Sequence, residues 1–309
     1  MNEKKATFKV SVVIPTYNCP LLLEESIKSL CNQSIPKEDF EVIISDDGST
    51  CDNQSIIDKY NNKLNLQYTW QEDLGFRAGA ARNRGVSLST GKYIIFIDSG
   101  VLLEESALKY HIESHEKSDN KVIIGYVYGY MSEHLEKSWG INPNLSETSP
   151  TLPEQQVSKL IDIMRMNLIL DVREGRYLRY GDDINSWPVP FDIFWTCHVS
   201  MEKSLFEKVK GFDESFNKWG GEDFELGIRL HKSPVYWELN RDCKSIHLSH
   251  DHEIENTSKI NFRIKETLSE MINRHPIPEV QYYINSDNQG LIDVNGYAIK
   301  QSLAIKEET

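Results

Sequence analysis

The chain has 309 residues, 39% hydrophobic and 26% charged, with a formal net charge of −13. That size and composition suit one large soluble domain or two small ones, the acidity argues against general nucleic-acid or anionic-membrane binding, and no apolar run of about 18 residues exists to span a membrane. Five cysteines (19, 31, 51, 197, 243), odd in number and without a Cys-x-x-Cys pair, argue against a disulfide framework or a zinc site and for a reducing cytoplasm.

The amino terminus leads without an apolar leader into residues 9–15, Lys-Val-Ser-Val-Val-Ile-Pro, which read as a buried parallel strand. A loop, Thr16-Tyr17-Asn18, and a helix over about 20–33 follow. The second strand, Phe40-Glu-Val-Ile-Ile-Ser, runs out into Asp46-Asp47-Gly48. A helix at 53–62, a short strand at 66–70, a helix opened by Gly75-Phe-Arg-Ala-Gly-Ala-Ala-Arg-Asn-Arg-Gly85, and a strand at 92–98 complete an alternating pattern. Such alternation predicts a doubly wound α/β sheet, which binds ligands beyond the carboxyl ends of its strands. Thr16, Asp46, Asp47 and Asp98 all fall at such ends.

Two nucleotide motifs are absent. No Gly-x-Gly-x-x-Gly follows the first strand, and Gly85 to Gly91-Lys92 is one residue too long for a phosphate loop, with Tyr93 where Ser or Thr is needed. The helix predicted over 104–118 carries His111, Glu113 and His115, which lack a third ligand nearby and read as a solvated face. A strand at 122–128, a surface loop at 140–156 and a helix at 155–172 come next. Phe194-Trp-Thr-Cys-His198-Val-Ser200 looks like a strand or turn delivering side chains to a cleft, and a short helix covers 202–209.

The most informative stretch is Lys210-Gly-Phe-Asp-Glu-Ser-Phe-Asn-Lys-Trp219-Gly-Gly-Glu-Asp-Phe. Gly220 and Gly221 permit a sharp turn, and Glu222 and Asp223 open a helix whose unpaired N–H groups favour carboxylates. An acidic cap beside a core tryptophan would explain this alone. An aromatic platform beside two carboxylates is also what a sugar site needs, since aromatic faces pack on pyranose C–H groups and a carboxylate can take a proton from an attacking hydroxyl. Past a strand at 235–239, Ser245-Ile-His247-Leu-Ser-His250-Asp251-His252 offers divalent-metal ligands or a polar edge strand. A helix at 258–274 and a tail with an Asn295-Gly296 turn signal end the chain.

Taken together, these residues resemble a family-2 glycosyltransferase with the GT-A fold over roughly residues 8–255. The resemblance rests on Val-Ser-Val-Val-Ile-Pro-Thr-Tyr-Asn, Ser-Asp-Asp-Gly-Ser-Thr, Ala-Arg-Asn-Arg-Gly and Tyr-Ile-Ile-Phe-Ile-Asp in order. Trp-Gly-Gly-Glu-Asp is similar to the acceptor-side motif of β-1,4-galactosyltransferases and chondroitin-type polymerases. The resemblance implies a Rossmann-like, mostly parallel sheet flanked by helices. It divides the chain into a transferase domain at 1–255, with a donor half to about 130 and an acceptor half after it, and a helical extension at 256–309. That extension is expected to pack on the domain or on a second copy, giving a homo-oligomer.

The resemblance further implies an inverting transfer of a hexose or N-acetylhexosamine from a UDP-sugar to a glycan or peptide acceptor. Pro15, Thr16, Tyr17 and Asp47 would hold the uridine, with Asp46 supporting the pocket and Arg77 and Arg82 on the diphosphate side. Asp223 would be the general base, with Glu222 on acceptor or donor hydroxyls. Trp219, Gly220, Gly221 and His198 would form the acceptor side. Asp98, with His247 or His250, would hold Mn²⁺ or Mg²⁺. The metal motif departs from its pattern, because Asp98-Ser99-Gly100 lacks the last carboxylate. That departure leaves two alternatives, an enzyme using arginines alone and a degenerate module that binds nucleotide or glycan without turnover.

Overall fold

Three runs of the amino-terminal half are apolar on both faces and can be hidden only between layers of helix. They are β1 (Val10–Thr16), β2 (Phe40–Asp46) and β4 (Tyr93–Ile97), buried almost throughout. The computed structural model describes residues 8–129, 157–218, 220–248, 270–286 and 293–307. With β3 (Leu66–Trp70), β5 (Val101–Leu103), β6 (Lys121–Tyr128), β7 (His198–Glu202) and β8 (Tyr236–His247), these strands form one sheet in the order β3-β2-β1-β4-β7-β6-β8-β5. The pairings from β3 to β4 are parallel. Beyond β4 the sheet is mixed: β7 lies antiparallel between β4 and β6, β6 and β8 run parallel, and β5 closes the edge antiparallel to β8.

The helices α1 (Pro20–Cys31), α2 (Gln54–Tyr60), α3 (Ala78–Leu88) and α4 (Ala107–His115) alternate with the first strands. Helix α1 starts on Pro20, whose missing N–H costs nothing in a first turn, and buries Leu22, Leu23, Ile27 and Leu30. Further helices are α5 (Val157–Met166), α6 (Glu174–Tyr180), α7 (Lys203–Lys208), α8 (Glu222–His231), α9 (Pro278–Ser286) and α10 (Val294–Glu307).

Four expectations are corrected. The helix read over 155–172 stops at Met166, Leu168 takes a left-handed φ of 57°, and a separate helix, α6, follows. The strand read at 235–239 continues to His247, past an irregularity opposite Gly125 and Tyr126. Asn295-Gly296 lies in the first turn of α10 rather than in a hairpin, with the Gly296 amide donating to Asp293. Finally, His111 and His115 are not solvated: they are 0% and 2% exposed. The predicted loop at 140–156 and most of the helix at 258–274 lie outside the described residues.

The buried histidines form one network. Ser200 Oγ lies 2.7 Å from His111 Nδ1 and 2.8 Å from His115 Nε2, His111 Nε2 meets His198 Nε2 at 3.0 Å, and His198 Nδ1 lies 2.9 Å from Ser245 Oγ. Burial pushes His111 and His115 down to about 3, so both rings are neutral near pH 7. The His198 ring lies against Gly125, where a Cβ would come within 2.3 Å of Nδ1. Only glycine fits that point of β6.

The carboxyl-terminal helices lie against the sheet domain. Tyr283 donates to the buried Asp192 and packs edge-on against Phe224 with ring centres 4.3 Å apart. The Val189 amide donates to Asn295 Oδ1 at 2.8 Å, and His275 Nε2 meets Glu225 at 2.9 Å.

Candidate active site

The carboxyl ends of β1, β2 and β4 gather the donor-side residues. Asp46 is fully buried, and its carboxylate accepts from the Gly48 and Ser49 amides (3.1 and 2.7 Å), Asn53 Nδ2 (2.7 Å) and Tyr68 Oη (2.8 Å). With four donors, the sites of a carboxylate are filled, and Asp46 braces the loop. Asp47 accepts from Gln71 Nε2 (2.6 Å) and from the Arg77 amide (2.7 Å), and Arg77 Nε stands 3.9 Å away. Burial raises the Asp47 carboxyl above its usual range. The Asp47 amide also donates to the Thr16 carbonyl at 2.9 Å, which joins the ends of β1 and β2. Tyr17 is exposed beside them, its hydroxyl on Asp73 at 2.9 Å. Pro15 is held from the far side, its carbonyl accepting from Ser99 Oγ at 2.9 Å.

Arg82 is the centre of a second group. Its side chain is 5% exposed and rests on the Phe212 ring, 5.5 Å from the centroid. The guanidinium reaches Asp98 at 2.7 Å, Glu222 at 3.6 Å and Asp223 at 4.0 Å. It therefore lies between the strand-end aspartate and the acidic start of α8. Three buried atoms here, Arg82 Nε, Arg82 Nη1 and Glu222 Oε2, have no hydrogen-bond partner. Unpaired buried polar atoms are costly, and their clustering marks a place where a polar ligand or water completes the set. Next to Arg82, the Asn83 amide spans the backbone N–H and C=O of Phe212 (2.8 and 2.9 Å) and braces that loop.

Helix α8 begins as the glycines require: Gly220 and Gly221 have φ of 88° and 104°. Glu222, Asp223 and Glu225 occupy the first turn, where the helix dipole favours anions. The Glu222 side chain is 8% exposed, and burial with Asp223 alongside pushes its carboxyl up. Asp223 is 27% exposed and is also raised by burial, against the pull of Arg82 and of two hydrogen bonds. Both bonds come from Thr196: its amide donates to Oδ2 at 3.0 Å and its hydroxyl to Oδ1.

The segment before β7 thus delivers Thr196, not His198. His198 is 0% exposed with both ring nitrogens engaged by His111 and Ser245, so it does not reach an acceptor. Trp219, His250, Asp251 and His252 lie outside the described residues.

The turn after Asp98 bears on a metal. Gly100 has φ of 93°, and a Cβ there would sit 3.1 Å from Leu22 Cδ2 on α1. A carboxylate at position 100 would point into that helix, not into the cleft. Among the described residues, no three His, Cys, Asp or Glu side chains converge as a metal cage. The backbone that follows Asp98 nevertheless runs beside that of His247: His247 pairs with Val101, and the Leu248 amide donates to the Gly100 carbonyl at 2.9 Å. His247 Nδ1 meets the Leu248 carbonyl at 3.0 Å. One carboxylate and one imidazole, completed by substrate phosphates and water, is a usual donor set for such ions at phosphates.

Residues 11–175 match the family model described as glycosyl transferase family 2, and residues 181–251 match the N-terminal domain of galactosyltransferase. Validoxylamine A glucosyltransferase of Streptomyces hygroscopicus subsp. limoneus is 34% identical over 288 residues, covering 91% of this chain and 60% of that protein. Chondroitin synthase of Escherichia coli is 29% identical over 240 residues, 77% of this chain and 34% of the other. The chain spans about three fifths of the length of the first of these relatives. The structure of S. aureus TarS 1–349 in complex with UDP-GlcNAc superposes with a TM-score of 0.61 at 18% identity, covering 95% of this chain and 76% of that one, a likeness of fold.

Proposed function

The chain belongs to glycosyl transferase family 2, and we propose that it is an inverting, UDP-sugar-dependent transferase. On this reading it moves glucose, galactose or N-acetylgalactosamine to a hydroxyl of a glycan or peptide acceptor. The observation that carries the reading is the Arg82 cluster, with two adjacent carboxylates beside Asp98 and polar atoms buried without partners. The glucosyltransferase among the relatives puts glucose first among the donors.

The uridine lies along Pro15, Thr16 and Tyr17 with Asp47 accepting from the base, and Arg77 faces the diphosphate. The acceptor enters beside Gly220 and Gly221. Asp223 takes the proton of the acceptor hydroxyl, and that oxygen attacks the anomeric carbon from the face opposite the diphosphate. The C–O bond to the diphosphate breaks, UDP leaves with the electron pair, and the product is a β-linked glycoside. Glu222 accepts from a sugar hydroxyl, which also satisfies its unpaired oxygen. Arg82 keeps three carboxylates from repelling one another but leaves the site net negative when all are ionised. A doubly charged leaving group then calls for more positive charge. Asp98 and His247 would hold Mn²⁺ or Mg²⁺, which supplies charge stabilisation to the diphosphate when bound. Five cysteines without disulfides fit a cytoplasmic enzyme.

The test is a mass-spectrometric screen for UDP release from UDP-glucose, UDP-galactose, UDP-N-acetylgalactosamine and UDP-N-acetylglucosamine, each with Mn²⁺ and with EDTA. Release from one donor that EDTA abolishes supports both the chemistry and the metal. Equal release in EDTA removes the metal and leaves the arginines. A chain that binds none of the four donors and no UDP overturns the reading, and one that binds UDP without turnover even with acceptor sugars supplied is the non-catalytic module.

A further inference from the structure

We infer that Thr196 is the positioning residue of the reaction, clamping the Asp223 carboxylate to the sheet and aiming it at the acceptor. The inference rests on Asp223 being the base. Asp223 stands in the first turn of α8, just past two glycines in left-handed backbone, the part of that helix least restrained by its own chain. Thr196 lies two residues before β7, is 0% exposed, and donates from its amide to one carboxylate oxygen and from its hydroxyl to the other. A carboxylate so gripped loses its freedom to rotate and keeps its remaining lone pairs on the open side, where a hydroxyl proton would arrive.

The clamp stands on a rigid footing. Trp195 packs over the Arg173 guanidinium, 5.3 Å from the ring centroid. Arg173 donates to the Ile193 carbonyl (3.0 Å) and the Gly125 carbonyl (2.9 Å), binding the segment before Thr196 to β6. Its ion pair with Asp171 closes at 2.7 Å with each side chain 1% exposed, and Asp171 in turn accepts from the Val127 amide at 2.9 Å. A buried pair of this kind is weak evidence for stability but a strict determinant of geometry when all its bonds are made. The two Thr196 donors also favour the charged carboxylate against the burial that disfavours it. Loss of the hydroxyl therefore raises the pH at which the base becomes competent.

The experiment uses the full chain with ¹³C-carboxyl aspartate, titrated by NMR as wild type, Thr196→Ser and Thr196→Val, with Asp223→Asn to identify the Asp223 signal. UDP release from UDP-glucose is followed against pH on the same proteins. Thr196→Val should move the Asp223 midpoint and the acid limb of kcat/KM upward together by about one pH unit, and lower kcat about tenfold at an unchanged KM for UDP-glucose. Thr196→Ser should restore both. If Val and Ser variants titrate with the wild type, the inference is wrong. If Asp223→Asn turns over like the wild type, the base assignment fails instead, whatever the titration shows. Should the Val variant not fold, Thr196→Ala against Thr196→Ser makes the same comparison.

Discussion

At the end of β2, Asp46 has every site of its carboxylate filled by protein donors, while fewer guarantees surround Arg82, where an arginine and a glutamate bury three polar atoms without partners. Both places are acidic and both lie beyond strand ends. The first is complete without a ligand and holds the loop that the uridine is proposed to meet. The second is incomplete and draws its partners from three separate parts of the chain. Buried atoms without a hydrogen-bond partner also occur singly elsewhere, on His115, Tyr177 and Asp192, and what sets the Arg82 group apart is that three of them gather beside three carboxylates.

Substitutions can break that comparison. Asp223→Asn should lower sugar transfer by roughly a thousandfold, the usual worth of a general base, while calorimetric UDP affinity and the melting temperature stay near wild type. Transfer that survives the change sinks the base assignment. Arg82→Met leaves three carboxylates without their counter-ion and should cost about 3 kcal/mol in urea unfolding at pH 7. Asp46→Asn should behave oppositely to Asp223→Asn: it loses roughly 2 kcal/mol of stability, and at temperatures where it is folded its rate falls far less. A full collapse of turnover in folded Asp46→Asn would contradict its role as a brace.

Acid gives a smaller, graded test. His111 and His115 are held near 3 in the fold, against about 6.5 in an unfolded chain. The unfolded state therefore binds more protons below pH 6.5, and stability falls as pH drops toward 3. The slope is about 1.4 kcal/mol per pH unit for each histidine. His111→Gln should flatten it, and an unchanged slope would mean the network takes up protons while folded. Smallest of all, Gly100→Asp, which restores the missing carboxylate on paper, should cost about 1 kcal/mol for its left-handed backbone and leave Mn²⁺ affinity by calorimetry unimproved.

Much of this was readable beforehand where local rules suffice. The place of Asp47 and Asp98 at strand ends follows from the alternation of apolar strands and helices, and the start of α8 follows from two glycines ahead of two acids. What escaped was set by long-range pairing. The ion pairs of Arg82 with Glu222 and Asp223, 140 and 141 positions away, are invisible from its helix neighbours. The histidines at 111 and 115 looked solvated because their partners Ser200 and His198 arrive on a strand inserted antiparallel into the middle of the sheet. Thr196 was hidden by its ordinariness: a threonine two residues from a histidine does not stand out until the carboxylate it grips is in place.

The edge of the sheet has a mechanical side. Strand β5 is three residues long and is joined to β8 at Val101–His247, Leu102–Ile246 and Leu103–Ser245. Asp98 precedes that strand and His247 ends the other, so fraying of this short ladder is also separation of the two proposed ligands. Ion affinity and edge integrity are then linked quantities: whatever tightens one must tighten the other. Amide exchange at Glu104, which closes this ladder by donating to the Lys244 carbonyl at 3.0 Å, would then read out the grip of the proposed ion.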